Sequence, residues 1–259
     1  MSRLVEVHLE GHVATVTLNR PEALNAISGE LANELAGALL QAAAHPDAWV
    51  VVLAAAGDRA FCVGADLKER NRLDDAGWMR NRILMRAMFD SLRALPQPTI
   101  ASVFGHALGG GFELALSCDL IVAAGDAVFG LPEVRVGIVP GGGATQLLTR
   151  RLGPARAKDL IFTSRRISGQ EAYDLGIVAR VVERDALSPA TMELAEEICA
   201  SSPVSVREAK LAIDRALDVP LDAGLELEDV AWRRAVASED RREGIAAFNE
   251  KRSPRWTGR

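Results

Sequence analysis

The chain has 259 residues, 49% hydrophobic and 25% charged, with a formal net charge of −5. That length and balance fit one large α/β domain, or one with a smaller appendage, and supply a sizeable core. The acidic charge argues against broad nucleic-acid binding while leaving room for a local basic patch, no apolar run reaches the length of a membrane span, and Met1–Glu10 starts like a strand rather than a signal peptide. Cys62, Cys118 and Cys199 are scattered and form no CxxC pair, which reads as reduced thiols in a cytoplasmic protein. His8, His12, His45 and His106 do not cluster and HExxH is absent, so no metal centre is expected.

In chain order, Leu4–Glu10 and Val13–Asn19 alternate apolar and polar residues around Gly11-His12, a hairpin signal that puts His8 and His12 on the exposed face. Arg20–Ala26 is a loop because Pro21 has no amide to donate. Leu31, Leu35, Leu39 and Ala42 recur at helical spacing over Gly29–Ala44. Trp49–Ala54 is an unbroken apolar run, as in parallel strands covered on both faces. Phe61–Lys68 ends in the small pair Gly64-Ala65. The charged stretch Lys68–Ala76 reads as a solvated, mobile segment. Helical periodicity returns over Trp78–Leu95 through Ile83, Met85, Met88, Phe89 and Leu92, and Thr99–Val103 is another buried strand.

The stretch Ala101–Gly143 is the densest in chemistry. Gly109-Gly110-Gly111 opens a helix that carries one acid, Glu113, in an apolar run; a second, Glu133, follows a Gly-Leu-Pro turn. Amides at a helix start are unpaired and carry partial positive charge, and glycine lets a ligand approach them closely. Such a turn can hold an oxyanion, with Gly64-Ala65 as a second amide source. Beyond it, helices fit Ala144–Leu152, Ala155–Phe162 and a segment capped by Ser168-Gly169-Gln170-Glu171, followed by a strand at Val178–Val182. From Pro189 the strand signals stop; helices fit Thr191–Ala200, Val204–Ala216, Leu221–Ala237 and Glu239–Lys251. Leu225, Leu227, Val230 and Trp232 spread apolar surface around the third of these, which suggests a subunit interface.

Taken in order, Arg20-Pro21…Leu24-Asn25-Ala26, Phe61…Gly64-Ala65-Asp66-Leu67, Gly105…Gly109-Gly110-Gly111…Glu113-Leu114-Ala115…Cys118-Asp119, Phe129-Gly130…Pro132-Glu133 and Pro140-Gly141-Gly142…Thr145-Gln146 closely resemble the enoyl-CoA hydratase/isomerase (crotonase) family. The resemblance implies an α/β spiral of ββα turns over residues 1–188 and a C-terminal helical region over 189–259 that serves oligomerisation and the CoA pocket. It also implies a homotrimer or dimer of trimers acting on an acyl-CoA, with no separate cofactor because coenzyme A belongs to the substrate. It matches the amides of Ala65 and Gly110 to the donors on the thioester oxygen, and Glu113 and Glu133 to the acid–base pair that holds a water. Asp66, Leu67 and Lys68 match the segment beside the acyl-CoA, and Ala23 and Leu24 the loop near the nucleotide. Phe248 and Lys251 match positions that reach the adenine or its phosphates, in some members from a neighbouring subunit.

Phe104, Ser164 and His106 depart from the family's usual pattern without touching the acids or amides, and His106 reads as a packed residue. The implied reaction is hydration of a 2-enoyl-CoA in fatty acid β-oxidation. The alternatives are an enoyl-CoA isomerase, a branched-acid hydratase of the methylglutaconyl type, or a non-catalytic or RNA-binding relative. GxSxG, GxxxxGK[ST] and GxGxxG are absent, which removes serine-hydrolase, P-loop and dinucleotide readings. The variable region 68–88 is expected to line the acyl pocket.

Overall fold

The computed structural model describes residues 3–259; Met1 and Ser2, part of the expected strand-like start, lie outside the described residues. The alternating N-terminal segments pair antiparallel as β1 (Val5–Glu10) and β2 (Val13–Leu18). Helix α1 (Gly29–Ala44) follows, with Ser28 accepting the Leu31 amide at its start and Leu31, Leu35, Leu39 and Ala42 all buried. Three ββ units then repeat. They are β3 (Val50–Ala55) with β4 (Ala60–Cys62), β5 (Thr99–Val103) with β6 (His106–Leu108), and β7 (Leu120–Ala124) with β8 (Val128–Gly130). Each unit is followed by helix: α2 (Leu67–Arg70) and α3 (Asp75–Arg93), then α4 (Gly110–Ser117), then α5 (Ala144–Leu152) and α6 (Pro154–Thr163).

The first strand of each unit enters a six-stranded sheet, which β10 (Arg180–Val182) completes in the order β1-β2-β3-β5-β7-β10. The second enters a four-stranded sheet, order β4-β6-β8-β9, where β9 is Ile167–Ser168. Pairing is parallel from β2 to β10 and from β4 to β8. This is the expected spiral of ββα turns.

The apolar run in β3 is explained by its two covered faces. Val51 and Leu53 join the main core with Phe61, Phe112 and Phe129, while Val50 and Val52 pack with Ile100, Val122, Leu187 and Leu194 on the other face. Leu187 and Leu194 belong to α8 (Leu187–Cys199), which starts four residues before the expected Thr191 because Pro189 is tolerated in a first turn. The division at 188/189 therefore falls inside a helix that covers the sheet. After the short α7 (Gly169–Asp174) and this α8, the helices farther from the sheet are α9 (Pro203–Arg215), α10 (Leu221–Ala237) and α11 (Glu239–Glu250). The C-terminus folds back onto α11: the amides of Glu239 and Asp240 donate to the Arg259 carbonyl, and buried Asp240 accepts from Ser202, Thr257 and Gly258. Among the described residues no helix is long and apolar enough to cross a membrane.

Several local expectations change. His12 is stacked on Trp49 with ring centroids 3.4 Å apart rather than fully exposed. Ile83 faces outward and Asn81 takes its place on the inner face of α3. Ser168 caps α7 by accepting the Glu171 amide, but the Glu171 carboxylate turns to Arg165 instead of closing the box. The Lys68–Ala76 stretch is not one solvated segment: it holds most of α2 and the start of α3. Within it, Glu69 accepts the Gly29 amide at 2.9 Å and so caps α1.

Candidate active site

The site forms where β4 and β6 end side by side and their glycines let two backbones touch. A Cβ on Gly111 would lie 2.0 Å from the Cys62 carbonyl oxygen, so only glycine allows α4 to sit on β4 this closely. Gly64, at φ 92°, is held as tightly: a Cβ there would lie 2.9 Å from the Leu108 carbonyl and 3.1 Å from the Gly110 nitrogen. These approaches bring two amides together, because a Cβ on Gly110 would stand 3.8 Å from the Ala65 nitrogen. Ile27 bonds to both neighbours of Ala65, taking the Asp66 amide at 2.9 Å and donating to the Gly64 carbonyl at 2.8 Å. In a parallel bridge the residue between those partners turns its own amide away. Gly110 opens α4, where amides have no intrahelical partner. Among the described residues neither the Ala65 nor the Gly110 amide meets a protein acceptor.

Glu113 follows in the first turn of α4 and is only 3% exposed. Its Oε1 accepts three amides, from Gly142 at 2.7 Å and from Gly143 and Ala144 at 3.0 Å, which are the start of α5. One carboxylate oxygen thus caps a second helix, leaving Oε2 outside that cluster. Gly142 is needed here because a Cβ would lie 2.4 Å from the Phe89 ring and 2.8 Å from Glu113 Oε2. The carbonyl side of the same loop is held by α3: Arg93 donates to the Gly142 carbonyl and Arg82 to the Gly141 carbonyl, each at 2.6 Å. Two arginines and one glutamate therefore grip opposite edges of the 141–144 backbone.

Glu133 begins a 3₁₀ turn, Glu133–Val136. It stands against the same glycine turn, since a Cβ on Gly109 would lie 2.9 Å from its Oε1. Among the described residues its buried Oε2 meets no protein partner. Burial pushes this carboxyl up to about 7, the Glu113 charge adds to the rise, and its own backbone amide and Arg70 act against it. The two acids are in unlike settings: one oxygen triply hydrogen-bonded, the other group desolvated and short of partners.

The remaining expected residues divide. Asp66 caps α2 through the Lys68 and Glu69 amides and pairs with Arg20 at 2.8 Å. Burial would raise its carboxyl, but Arg20 and the two amides outweigh that and hold it below the usual range. Asp66 and Lys68 line a cleft of about 410 Å³ with Arg20, Ser28 and Arg72, whose lining includes neither the amide pair nor the glutamates. Leu67 is exposed next to it. Ala23 and Leu24 border the same region, where the Leu24 carbonyl accepts the Val63 amide. Phe248 and Lys251 stand elsewhere: Phe248, 84% exposed, is near the end of α11, and Lys251 follows it in a left-handed turn. Within one chain the fold does not gather them with the others.

Nothing in the sequence marks the places of Arg70, Arg82 and Arg93. Each looks like an ordinary surface charge there, and only the path of α3 over the Pro140–Gly143 loop gives two of them a purpose. His106, on β6, is half-buried with its Nδ1 unpartnered among the described residues, and Phe104 carries the Arg184 guanidinium 4.0 Å above its ring.

Comparison with known proteins shows the family and the fold. The family profile described as enoyl-CoA hydratase/isomerase matches residues 8–259. The chain is 43% identical over 247 residues to a putative enoyl-CoA hydratase/isomerase, YngF, of Bacillus subtilis, covering 95% of each. It is 40% identical over 243 residues to a short-chain-enoyl-CoA hydratase of Clostridium acetobutylicum, covering 94% of this chain and 93% of that one. The crystal structure of an enoyl-CoA hydratase from Bacillus anthracis superposes with a TM-score of 0.96 at 42% identity, covering 99% and 100% of the two chains. With a family profile, relatives and a solved structure all matching over nearly the whole length, the chain belongs to the enoyl-CoA hydratase/isomerase family.

Proposed function

We propose that this member is an enoyl-CoA hydratase, adding water across the 2,3 double bond of a 2-enoyl-CoA to give a 3-hydroxyacyl-CoA. The observation that carries the reading is the unlike setting of the two acids. A carboxyl raised to about 7 still holds a proton near neutral pH, so Glu133 can donate to C2. The Glu113 oxygen fixed by three amides is a pure acceptor, which suits a carboxylate that takes the proton from water through its second oxygen as the water oxygen bonds to C3. The charge that builds on the thioester oxygen is met by the Ala65 and Gly110 amides; one such donor contributes roughly 10²–10³ in rate.

Under the same reading, Asp66, Leu67 and Lys68 run beside the acyl-CoA and Ala23 and Leu24 approach its nucleotide, with no cofactor beyond the coenzyme A that the substrate carries. Leu221, Leu225 and Trp232 leave more than half of their surface exposed along α10, and an exposed apolar row of this size supports assembly as a homotrimer or dimer of trimers. In that assembly Phe248 and Lys251 serve a neighbouring copy's nucleotide. We assign the enzyme to the cytoplasm and to fatty acid degradation.

Product analysis tests the reaction. Crotonyl-CoA is expected to lose its conjugated-thioester absorbance and yield 3-hydroxybutanoyl-CoA. A 3-enoyl-CoA converted to the 2-enoyl form faster than crotonyl-CoA is hydrated would instead make the protein an isomerase.

A further inference from the structure

Arg70 ends α2 on the side of the acid pair, and its bonding is unlike that of the other arginines. Among the described residues, the other partly buried arginines all donate to protein oxygens, as Arg20 does to Asp66, Arg93 to Gly142 and Arg151 to Leu116 and Cys118. Among the described residues no protein acceptor meets any guanidinium nitrogen of Arg70, and its Nε is fully buried. The guanidinium lies over the Trp78 ring, 5.2 Å from its centroid. Stacking occupies a flat face and leaves the hydrogen-bonding edge free.

The acids nearby are committed to other groups. Glu69 receives the Gly29 amide, and Glu113 Oε1 receives three amides. Both acids and Glu133 are close enough for their charges to act on Arg70, yet none bonds to it. A guanidinium whose Nε is closed off from water without an acceptor is costly, and the acceptor that fits its planar edge is a carboxylate. If C2 and C3 of the substrate lie between Glu113 and Glu133, the ligand atoms that reach Arg70 are those of the acyl chain beyond C3.

We propose that Arg70 receives a carboxylate carried on the acyl chain, so that the preferred substrates are enoyl-CoA thioesters bearing a second, free carboxyl group. The assignment rests on the hydratase reading above for the placement of the acyl chain. Its test compares two five-carbon substrates, glutaconyl-CoA with its terminal carboxylate and the neutral pent-2-enoyl-CoA, by kcat/KM. The wild type is expected to favour glutaconyl-CoA, and Arg70→Met is expected to lower the glutaconyl/pentenoyl ratio by about 10–100-fold, the worth of a charge-assisted pair. Arg70→Lys, which keeps the charge but not the planar fork, restores part of that ratio. A ratio that Arg70→Met leaves unchanged overturns the assignment. Calorimetric binding of the saturated glutaryl-CoA and pentanoyl-CoA reads the same contact without turnover. Equal wild-type affinity for the two overturns the role of Arg70 even if hydration is observed. A glutaryl preference that Arg70→Met abolishes upholds it even if hydration is not.

Discussion

Glu133→Gln is expected to lower kcat for crotonyl-CoA hydration by about 10²–10⁴ while making the protein more stable at pH 8. Both effects come from the same burial. In the folded chain burial pushes the Glu133 carboxyl up to about 7, from an ordinary 4.5. Between those two pH values the folded state holds a proton that the unfolded state has lost, so stability falls as pH rises from 4.5 towards 7 and stays reduced above it. A shift of that size is worth at most about 3 kcal/mol, and a partly exposed carboxyl retains about 1–2 kcal/mol of it. Glutamine never ionises and escapes this cost, so its melting temperature at pH 8 is expected to exceed that of wild type by about 2–6 °C, with no gain at pH 4.5. The wild-type kcat is expected to decline above pH 7 as the donor loses its proton. A variant whose melting temperature differs from wild type equally at both pH values would show that Glu133 does not titrate in this range.

The second acid separates catalysis from folding. Glu113→Gln and Glu113→Ala are each expected to lose about 10²–10⁴ in kcat, but only alanine should weaken the fold. Glutamine keeps an oxygen to accept the Gly142, Gly143 and Ala144 amides. Alanine strands three donors at the start of α5 and opens a cavity beside Phe89, which costs about 3–5 kcal/mol in urea unfolding. Equal stability of the two variants would mean that the carboxylate is not what holds the 141–144 loop against α4.

Much of this is legible in the sequence. Period-two and period-3.6 patterns locate the hairpin, α1 and α10, and the all-apolar β3 announces a strand covered twice. The glycines at 64, 109, 110 and 111 and the two acids stand out because glycine and buried carboxylate are rare choices without a geometric or chemical need. What was not legible depends on distance through space. Glu69 reads as surface charge until α1 is seen to start beside it, and Arg82 and Arg93 do so until the Gly141–Gly142 carbonyls are found under α3. The early start of α8 was masked by Pro189, whose helix-breaking tendency does not apply in a first turn.

The most direct test is a crystal structure with butanoyl-CoA, a saturated thioester that cannot react. The thioester carbonyl oxygen is expected within hydrogen-bond distance of both the Ala65 and Gly110 nitrogens, with C2 and C3 between the Glu113 and Glu133 carboxyl groups. A carbonyl bound away from that amide pair, or an acyl chain that passes only one of the two acids, would contradict the proposed hydration.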